Sequence, residues 1–151
     1  MLHFMRHAES VSNKYRTDNP DPDITLEGKI QASRVKGNYD LVILSPLKRT
    51  HQTLKSSKIS FDYLFVSDLV REFKTSKSDF LQNERIVFEN ENDLFKRICL
   101  FEKQLKYLKN KYKKILIITH GLFIYYYMNK NINRPKLGRV VDNCEIVKVQ
   151  E

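Results

Sequence analysis

The chain has 151 residues, of which 41% are hydrophobic, 30% charged and 11% aromatic. This length suits one domain with a substantial core, and only four glycines and four prolines argue against a low-complexity or disordered chain. No apolar run approaches the roughly 20 residues that a membrane-spanning helix needs. We therefore expect a single domain over residues 1–151 with no membrane association.

The chain is strongly basic, with 27 Lys and Arg against 18 Asp and Glu, a formal net charge of +9. A positive field attracts anionic ligands such as phosphate esters and nucleic acid. However, lysines outnumber arginines and Asn and Ile are plentiful, which is typical of AT-rich coding sequences. Because no RNA-binding or zinc-finger pattern is present, nucleic acid is not favoured as a partner.

The cysteines and the first residues predict the compartment. Cys99 and Cys144 lie far apart and match no zinc spacing, so neither a disulfide framework nor a zinc site is expected. The first ten residues reach Arg6 and His7 too early for the apolar region of a signal peptide. A reducing cytoplasm is the expected location.

Strand-like and helical patterns alternate along the chain. In chain order we predict a strand at Leu2–Met5, a helix at Leu26–Lys36 capped by Thr25, a strand at Leu41–Leu44, a helix at Leu47–Ser56 and a strand at Tyr63–Val66. Polar loops at Ser67–Asn90 over one edge of the sheet are followed by a helix at Asn92–Lys113, a strand at Ile115–Thr119, a helix at Leu122–Asn129 and a strand at Glu145–Val149.

The longest of these helices carries the clearest pattern. Its apolar residues are spaced 4, 3, 4, 3 and 4 apart, which forms one apolar stripe under a lysine-rich face: Leu94, Ile98, Phe101, Leu105, Leu108 and Tyr112. Two of the strands are short continuous apolar runs, typical of strands buried on both faces. The alternation predicts an α/β fold, a three-layer α/β/α sandwich with a mostly parallel central sheet.

Polar residues collect where the predicted strands end. Arg6 and His7 follow the first strand, Arg49 follows the second, and His120 follows the fourth. Glu72 comes a few residues after the third strand. In an open α/β sheet ligands bind beyond the carboxyl ends of the strands, so we expect these side chains at one edge of the sheet.

These residue types suit phosphoryl transfer. Arginine guanidinium groups such as Arg6 and Arg49 bind phosphoryl oxygens through planar, bidentate donors. A neutral imidazole is a competent nucleophile, which suits His7, and His120 could donate to a transferring oxygen. Glu72 could protonate the leaving alkoxide if its pKa is kept high enough.

Each of these signals is weak alone. A single histidine at a strand end is more often structural, a lone glutamate after an arginine is usually a surface charge, and a glycine after Thr-His often only makes a turn. Paired histidines could also bind a metal, but the neighbouring arginines would repel a cation. The joint occurrence of the residues, in order and at strand ends, favours the phosphoryl site, with no metal and no cofactor.

At this point five blocks, covering most of Leu2–Val149, resemble the histidine phosphatase superfamily, also called the phosphoglycerate mutase-like family. The blocks are RHAESVSN at residues 6–13, ITLEGKIQA at 24–32, SPLKRTHQT at 45–53, THG at 119–121 and NCEI at 143–146. The resemblance implies a phosphoglycerate mutase-like fold.

The resemblance also implies roles for single residues. His7 would become phosphorylated, while Arg6, Arg49 and His120 would complete the phosphate pocket. Glu72 matches the proton donor of the family by position and by its Leu-x-x-Glu context. These five residues are the predicted catalytic set.

Three further residues are predicted to contact the substrate. Asn13 matches a family position at the pocket, and its alternative is a turn residue that caps the loop. Ser10 is either a phosphate donor or a helix cap. Gly121 follows the second histidine, where its alternative is simply to make the turn.

The sequence departs from the family pattern at two places. Ala8 replaces the usual glycine beside the nucleophile, which is tolerable if its φ is negative. The glycine and acidic residues that often follow the proton donor are missing after Glu72. His51 is an additional histidine that we expect at the surface.

The compact chain favours hydrolysis over mutase chemistry. Family members that act as phosphoglycerate mutases are expected to be longer, with insertions that close over the substrate, whereas an open pocket lets water reach the phosphohistidine. The expected substrate is a phosphorylated small molecule or a phosphoprotein, with inorganic phosphate as product. The alternatives are phosphoglycerate mutase-type transfer and a catalytically weak module that binds phosphate or phosphoprotein. Residues 67–90 and 131–141 are the candidate specificity loops.

Overall fold

A five-stranded sheet forms the centre of the computed structural model, which describes residues 1–150. The strands are β1 (Leu2–Arg6), β2 (Lys36–Leu44), β3 (Lys58–Val66), β4 (Ile115–Thr119) and β5 (Ile146–Val149). The helices are α1 (Val11–Tyr15), α2 (Leu26–Ser33), α3 (Lys48–Ser56), α4 (Glu91–Lys109) and α5 (Gly121–Lys130).

The sheet is mostly parallel, as the alternation of strands and helices predicts. Its order is β3-β2-β4-β1-β5, with β1 to β4 parallel to their neighbours and β5 antiparallel to β1. The carboxyl ends of the four parallel strands therefore meet at one edge of the sheet. The residues predicted to form the site follow these strands at that edge.

Helices cover both faces of the sheet. Along β2, Leu41 and Ile43 face the core under α4 and α5, while Val42 and Leu44 face the core that contains Leu54 of α3. Successive side chains of a strand point to opposite faces, so a strand buried on both faces must be continuously apolar. This confirms the three-layer α/β/α architecture.

The apolar stripe of α4 packs as predicted. Its buried residues include Leu94, Ile98, Phe101, Leu105 and Leu108. Asn90 caps the helix, and its side chain accepts a hydrogen bond from the backbone N–H of Asp93. The helix ends at Lys109 rather than Lys113, and Tyr112 packs against the same core from the turn that follows.

The largest boundary errors lie between α2 and β3. The helix capped by Thr25 ends at Ser33 rather than Lys36, because β2 already begins at Lys36. Both β2 and β3 begin about five residues before their predicted starts and pair with each other there. These extensions are largely exposed and mix polar with apolar residues, so no continuous apolar run marks them. The short helix α1 was not predicted.

The segment between β3 and α4 is irregular, as expected, apart from two short 3-10 turns at Asp68–Val70 and Lys77–Asp79. It lies at the carboxyl ends of the strands: Thr119, the last residue of β4, donates through its hydroxyl to the carbonyl of Val70. Among the helices of residues 1–150, none has the length and apolar character required to span a bilayer.

Candidate active site

His7 lies directly after β1 and is held by its own backbone. Its N–H donates to the carbonyl of Thr119 at 3.0 Å, and its carbonyl accepts from Asn143 Nδ2 at 2.9 Å. The next N–H, that of Ala8, donates to the Thr53 hydroxyl at 2.9 Å. The φ of Ala8 is negative, so its methyl group is tolerated beside His7. These bonds fix the position of a side chain that is only 3% exposed.

The hydrogen bonds of His7 define which ring nitrogen carries a lone pair. Nδ1 lies 2.7 Å from the carbonyl oxygen of Ala8 and must donate to it, because a carbonyl only accepts. Nε2 is then the unprotonated nitrogen, and it accepts from Arg49 Nε at 3.2 Å. Burial, reinforced by Arg49 and Arg6, lowers the pKa of His7 well below its usual value. The imidazole is neutral, with its nucleophilic nitrogen beside a guanidinium.

Arg49 enters the site from the first turn of α3. It is 4% exposed, and its Nη1 donates to the carbonyl of Ser78 at 2.9 Å. Its Nη2 lies 3.5 Å from a carboxylate oxygen of Asp79. The second 3-10 turn therefore covers Arg49, so the irregular segment at residues 67–90 contributes a further contact to the site.

Arg6 is the last residue of β1 and comes directly before His7. Its Nη1 donates to the carbonyl of Val141 at 2.8 Å, and its buried Nε has no protein partner among residues 1–150. A Cβ added to Gly121 would lie 3.2 Å from Arg6 Nε and 2.6 Å from Val140. Glycine at position 121 therefore makes room for the guanidinium; a direct contact of Gly121 with substrate stays a prediction.

His120 packs against His7 at the end of β4. The two ring centroids are 5.1 Å apart and the rings meet edge to face. His120 Nε2 lies 2.8 Å from the Ser45 hydroxyl, whereas its buried Nδ1 has no partner in the described part of the chain. Burial, followed by the charge of Arg49, lowers the pKa of His120 well below its usual value.

Glu72 binds the amino end of α5, the helix that begins just after His120. One carboxylate oxygen accepts from the N–H groups of Phe73 and Phe123, each at 2.8 Å. The other accepts from the N–H of Leu122 at 3.2 Å. The surface-charge interpretation of this glutamate is therefore wrong, because its carboxylate lies within the site.

Burial is the main influence on the acidity of Glu72. It raises the pKa of the carboxyl, and the nearby carboxylate of Asp79 raises it further. The N–H of Phe73 and the charge of Arg49 act in the opposite direction, but the pKa remains above its usual value. A raised pKa is what a general acid needs near neutral pH.

The backbone that carries Glu72 is held by a buried arginine of α4. Arg97 donates to the carbonyls of Leu69, Arg71 and Glu72 at 3.0, 2.7 and 3.0 Å. Its charge is balanced by Glu89, 2.7 Å away. One side chain thus fixes three carbonyls around the proposed acid.

Ser10 and Asn13 form the capping box of α1. The Ser10 hydroxyl accepts from the N–H of Asn13 at 3.2 Å, and the Asn13 side chain accepts from the N–H of Ser10 at 3.0 Å. The structure thus shows the capping alternative for both residues. Asn13 also accepts from Asn143, which binds the His7 carbonyl. Substrate contacts by Ser10 and Asn13 stay predictions.

Four residues at the site were not predicted: Ser45, Ser78, Asp79 and Asn143. Ser45 had a usable signal, since it directly follows β2 and begins the block at residues 45–53. Asp79 and Ser78 lie in an irregular segment where no periodicity indicates which residue turns inward. Asp79 also shows that an acidic residue after Glu72 reaches the site.

The five predicted catalytic residues are thus brought together. Two guanidinium groups, two neutral imidazoles and one carboxyl of raised pKa lie near one another at the carboxyl ends of β1, β2 and β4. Within residues 1–150, no three or more His, Cys, Asp and Glu side chains are arranged to hold a metal ion. The cluster can bind a phosphoryl group and offer it one nucleophile and one acid.

Comparison with known proteins agrees with this geometry. The family model "Histidine phosphatase superfamily (branch 1)" matches residues 2–60, which include His7 and Arg49. A comparison with curated protein sequences found no match.

Solved structures share the fold at low identity. A phosphoglycerate mutase from Thermus thermophilus superposes with a TM-score of 0.69 at 18% identity, covering 99% of this chain and 96% of that one. A mycobacterial glucosyl-3-phosphoglycerate phosphatase gives 0.67 at 15%, covering 96% and 88%. A putative alpha-ribazole-5'-P phosphatase from Escherichia coli K-12 gives 0.65 at 18%, covering 89% and 80%. Residues 2–60 thus match the histidine phosphatase superfamily, and the chain as a whole shares the fold of these solved structures.

Proposed function

We propose that the chain is a metal-independent phosphatase that hydrolyses a phosphomonoester or a phosphoprotein through a phosphohistidine on His7. The carrying observation is the state of His7: buried, neutral, protonated on Nδ1 and with its Nε2 lone pair facing Arg49. A phosphorylated small molecule or phosphoprotein is the proposed partner, and inorganic phosphate the product.

The first half of the reaction transfers the phosphoryl group to the enzyme. His7 Nε2 forms a bond to phosphorus as the ester P–O bond breaks, and the leaving oxygen takes the proton of Glu72. Arg49 exchanges its bond to Nε2 for bonds to phosphoryl oxygens, and Arg6 binds them from the other side. The Ala8 carbonyl stabilises the Nδ1–H as the ring becomes positively charged. Positioning and charge stabilisation supply most of such catalysis.

The second half returns the enzyme to its starting state. Glu72, now a carboxylate, takes a proton from water while the water oxygen bonds to phosphorus and the P–N bond breaks. Phosphate leaves, and Glu72 and His7 again hold their original protons. The same carboxyl acts as acid and then as base because it gives up its proton to the leaving oxygen in the first half and regains one from water in the second.

Chain length does not separate hydrolysis from mutase chemistry. The Thermus protein named as a phosphoglycerate mutase is matched over 96% of its own length, so a compact chain of this fold can carry that name. Hydrolysis is proposed because two other similar structures are named as phosphatases. Mutase-type transfer is the second candidate, and a module that only binds phosphate is the third.

Hydrolysis of p-nitrophenyl phosphate in EDTA tests the proposal. We expect nitrophenol and inorganic phosphate to appear in equal amounts, at a rate that EDTA leaves unchanged. A mutase would convert 2- and 3-phosphoglycerate into each other much faster than it releases phosphate. A binding module would bind phosphate without turnover, and inactivation by EDTA would contradict the metal-independent mechanism.

We expect Glu72→Gln to slow substrates with poor leaving groups selectively. An alkyl phosphate such as glycerol 2-phosphate needs a proton on its leaving oxygen, so its kcat/KM should fall about 10²- to 10³-fold, against less than about tenfold for p-nitrophenyl phosphate. Glu91→Gln, at the exposed start of α4, is the control. Equal losses for both substrates would remove Glu72 from the role of acid.

The same pair of substrates gives a pH test of Glu72. The acid must be protonated, so kcat/KM for the alkyl phosphate should fall as pH rises through the raised pKa of Glu72. Glu72→Gln should lose this descending limb.

For location we propose the cytoplasm, because Cys99 and Cys144 are both unpaired.

A further inference from the structure

Ser45 has a hydrogen-bonding arrangement that no catalytic role has yet used. It follows β2, is fully buried, and its hydroxyl lies 2.8 Å from Nε2 of His120. Its backbone carbonyl is fixed by the Thr50 hydroxyl at 2.8 Å and by a ring nitrogen of His51 at 2.9 Å. The hydroxyl is therefore held at one place against the ring of His120.

Proton counting assigns the direction of the bond between Ser45 and His120. A serine hydroxyl offers one donor hydrogen and two acceptor lone pairs. The N–H of Leu47 donates to the Ser45 oxygen at 3.2 Å, which uses one lone pair. Among residues 1–150 the structure gives the hydroxyl hydrogen no acceptor other than His120 Nε2. Ser45 therefore donates, and Nε2 is the nitrogen without a hydrogen.

The charge state of His120 makes this direction important. The ring is fully buried, and burial together with the positive charges of Arg49, Arg97 and Arg6 favours the neutral imidazole. A neutral imidazole has a single N–H. If Nε2 accepts from Ser45, that hydrogen is on Nδ1, the ring nitrogen that has no protein partner.

We propose that Ser45 is a positioning residue that holds neutral His120 in the tautomer with its hydrogen on Nδ1, so that Nδ1 donates to a phosphoryl oxygen. In the opposite tautomer Nδ1 would present a lone pair to the oxygens of the phosphoryl group, which is repulsive. A phosphoryl oxygen also supplies the acceptor that the buried Nδ1–H otherwise lacks. This inference rests on the proposed phosphoryl site. It holds whether the phosphoryl group is then transferred to water, as in a phosphatase, or to a substrate, as in a mutase.

The tautomer can be measured directly in the unmodified protein. The chain has only four histidines, so a long-range ¹H–¹⁵N correlation spectrum of protein labelled with ¹⁵N-histidine separates the rings, and His120→Gln identifies the His120 signals. We expect the pattern of an Nδ1–H imidazole. A pattern with the hydrogen on Nε2, or an imidazolium, would overturn the inference, whatever the enzyme does.

Substitution of Ser45 tests the consequence for phosphate. In Ser45→Ala the tautomers should mix, and the affinity for inorganic phosphate and kcat/KM should each fall about tenfold, the effect of one hydrogen bond to a charged group. Ser45→Thr keeps the hydroxyl and should restore both. Ser57→Ala, which removes a hydroxyl at the far end of α3, should change neither.

The two readouts distinguish this inference from the proposed function. Phosphate affinity is measured by titration and needs no turnover, so a protein without phosphatase activity would still support the inference if Ser45→Ala weakens phosphate binding and shifts the tautomer. If Ser45→Ala folds and binds phosphate as the unmodified protein does, Ser45 has no positioning role. If Ser45→Ala does not fold, the tautomer in the unmodified protein and in Ser45→Thr decides.

Discussion

His7→Ala should eliminate the phosphoenzyme and reduce turnover of p-nitrophenyl phosphate on the order of 10⁴-fold or more, as loss of a covalent nucleophile does. The methyl group cannot form the intermediate, and the unprotonated nitrogen of the neighbouring His120 is hydrogen-bonded to Ser45. Phosphate binding should persist in part, because Arg6, Arg49 and His120 remain. The expected result is thus a protein that binds phosphate and does not turn over.

The measurement combines steady-state turnover with chemical trapping. Enzyme mixed with labelled substrate and quenched in alkali should retain an acid-labile phosphoramidate in the unmodified protein and none in His7→Ala. His3→Ala is the matched control, since His3 lies on the same strand but packs against Tyr39 near its opposite end. Full activity of folded His7→Ala would exclude the phosphohistidine mechanism.

The sequence predicts the layers of this fold because burial on both faces leaves a direct trace in the residues. The runs in β2 and β4 are continuously apolar and the stripe of α4 repeats every three or four residues, so both follow from periodicity alone. The predicted strand boundaries are wrong where the strand residues become exposed. The early residues of β2 and β3 pair with each other largely at the surface, where polar and apolar side chains are mixed and no continuous apolar run marks the strands.

The residues of the site likewise fall into those that the sequence predicts and those that it does not. Residues at strand ends, such as His7 and His120, are predictable because the sheet brings the carboxyl ends of its four parallel strands to one edge. Ser78 and Asp79 are not, because their inward direction depends on a 3-10 turn fixed by distant contacts, including Asp18 on the N–H of Ser78 and Arg71 on the carbonyl of Asp79. The histidine tautomers cannot be predicted from the sequence either, since they depend on which atoms face each ring nitrogen in the folded protein.

Arg49→Ala should lower kcat about 10²- to 10³-fold, the usual effect of removing one preorganised donor to developing charge. Lysine at the same position should recover little, since a point charge cannot bind phosphoryl oxygens, the Ser78 carbonyl and Asp79 through one planar group. Turnover of p-nitrophenyl phosphate, compared with that of Lys55→Ala at the exposed end of α3, is the measurement. A loss below about tenfold would remove Arg49 from the phosphate pocket.

Arg49→Ala should also destabilise the fold in a pH-dependent way, because it leaves the buried carboxylate of Asp79 without its cation. Thr75 and Ser76 still donate to this carboxylate, so we expect a loss of about 1–3 kcal/mol in the free energy of unfolding rather than the full effect of an isolated buried charge. Burial already raises the pKa of Asp79. A group with a raised carboxyl pKa contributes stability at low pH and loses it as pH rises.

The deficit of Arg49→Ala should therefore be largest at neutral and alkaline pH and shrink toward acidic pH, where Asp79 takes up a proton. Urea unfolding at several pH values measures this, and the double variant Arg49→Ala/Asp79→Asn separates the two roles of the arginine. The amide removes the uncompensated charge, so the double variant should regain most of the stability at neutral pH. It should regain none of the turnover, because the missing guanidinium acts on the phosphoryl group. Recovery of activity together with stability would mean that Arg49 serves the fold alone.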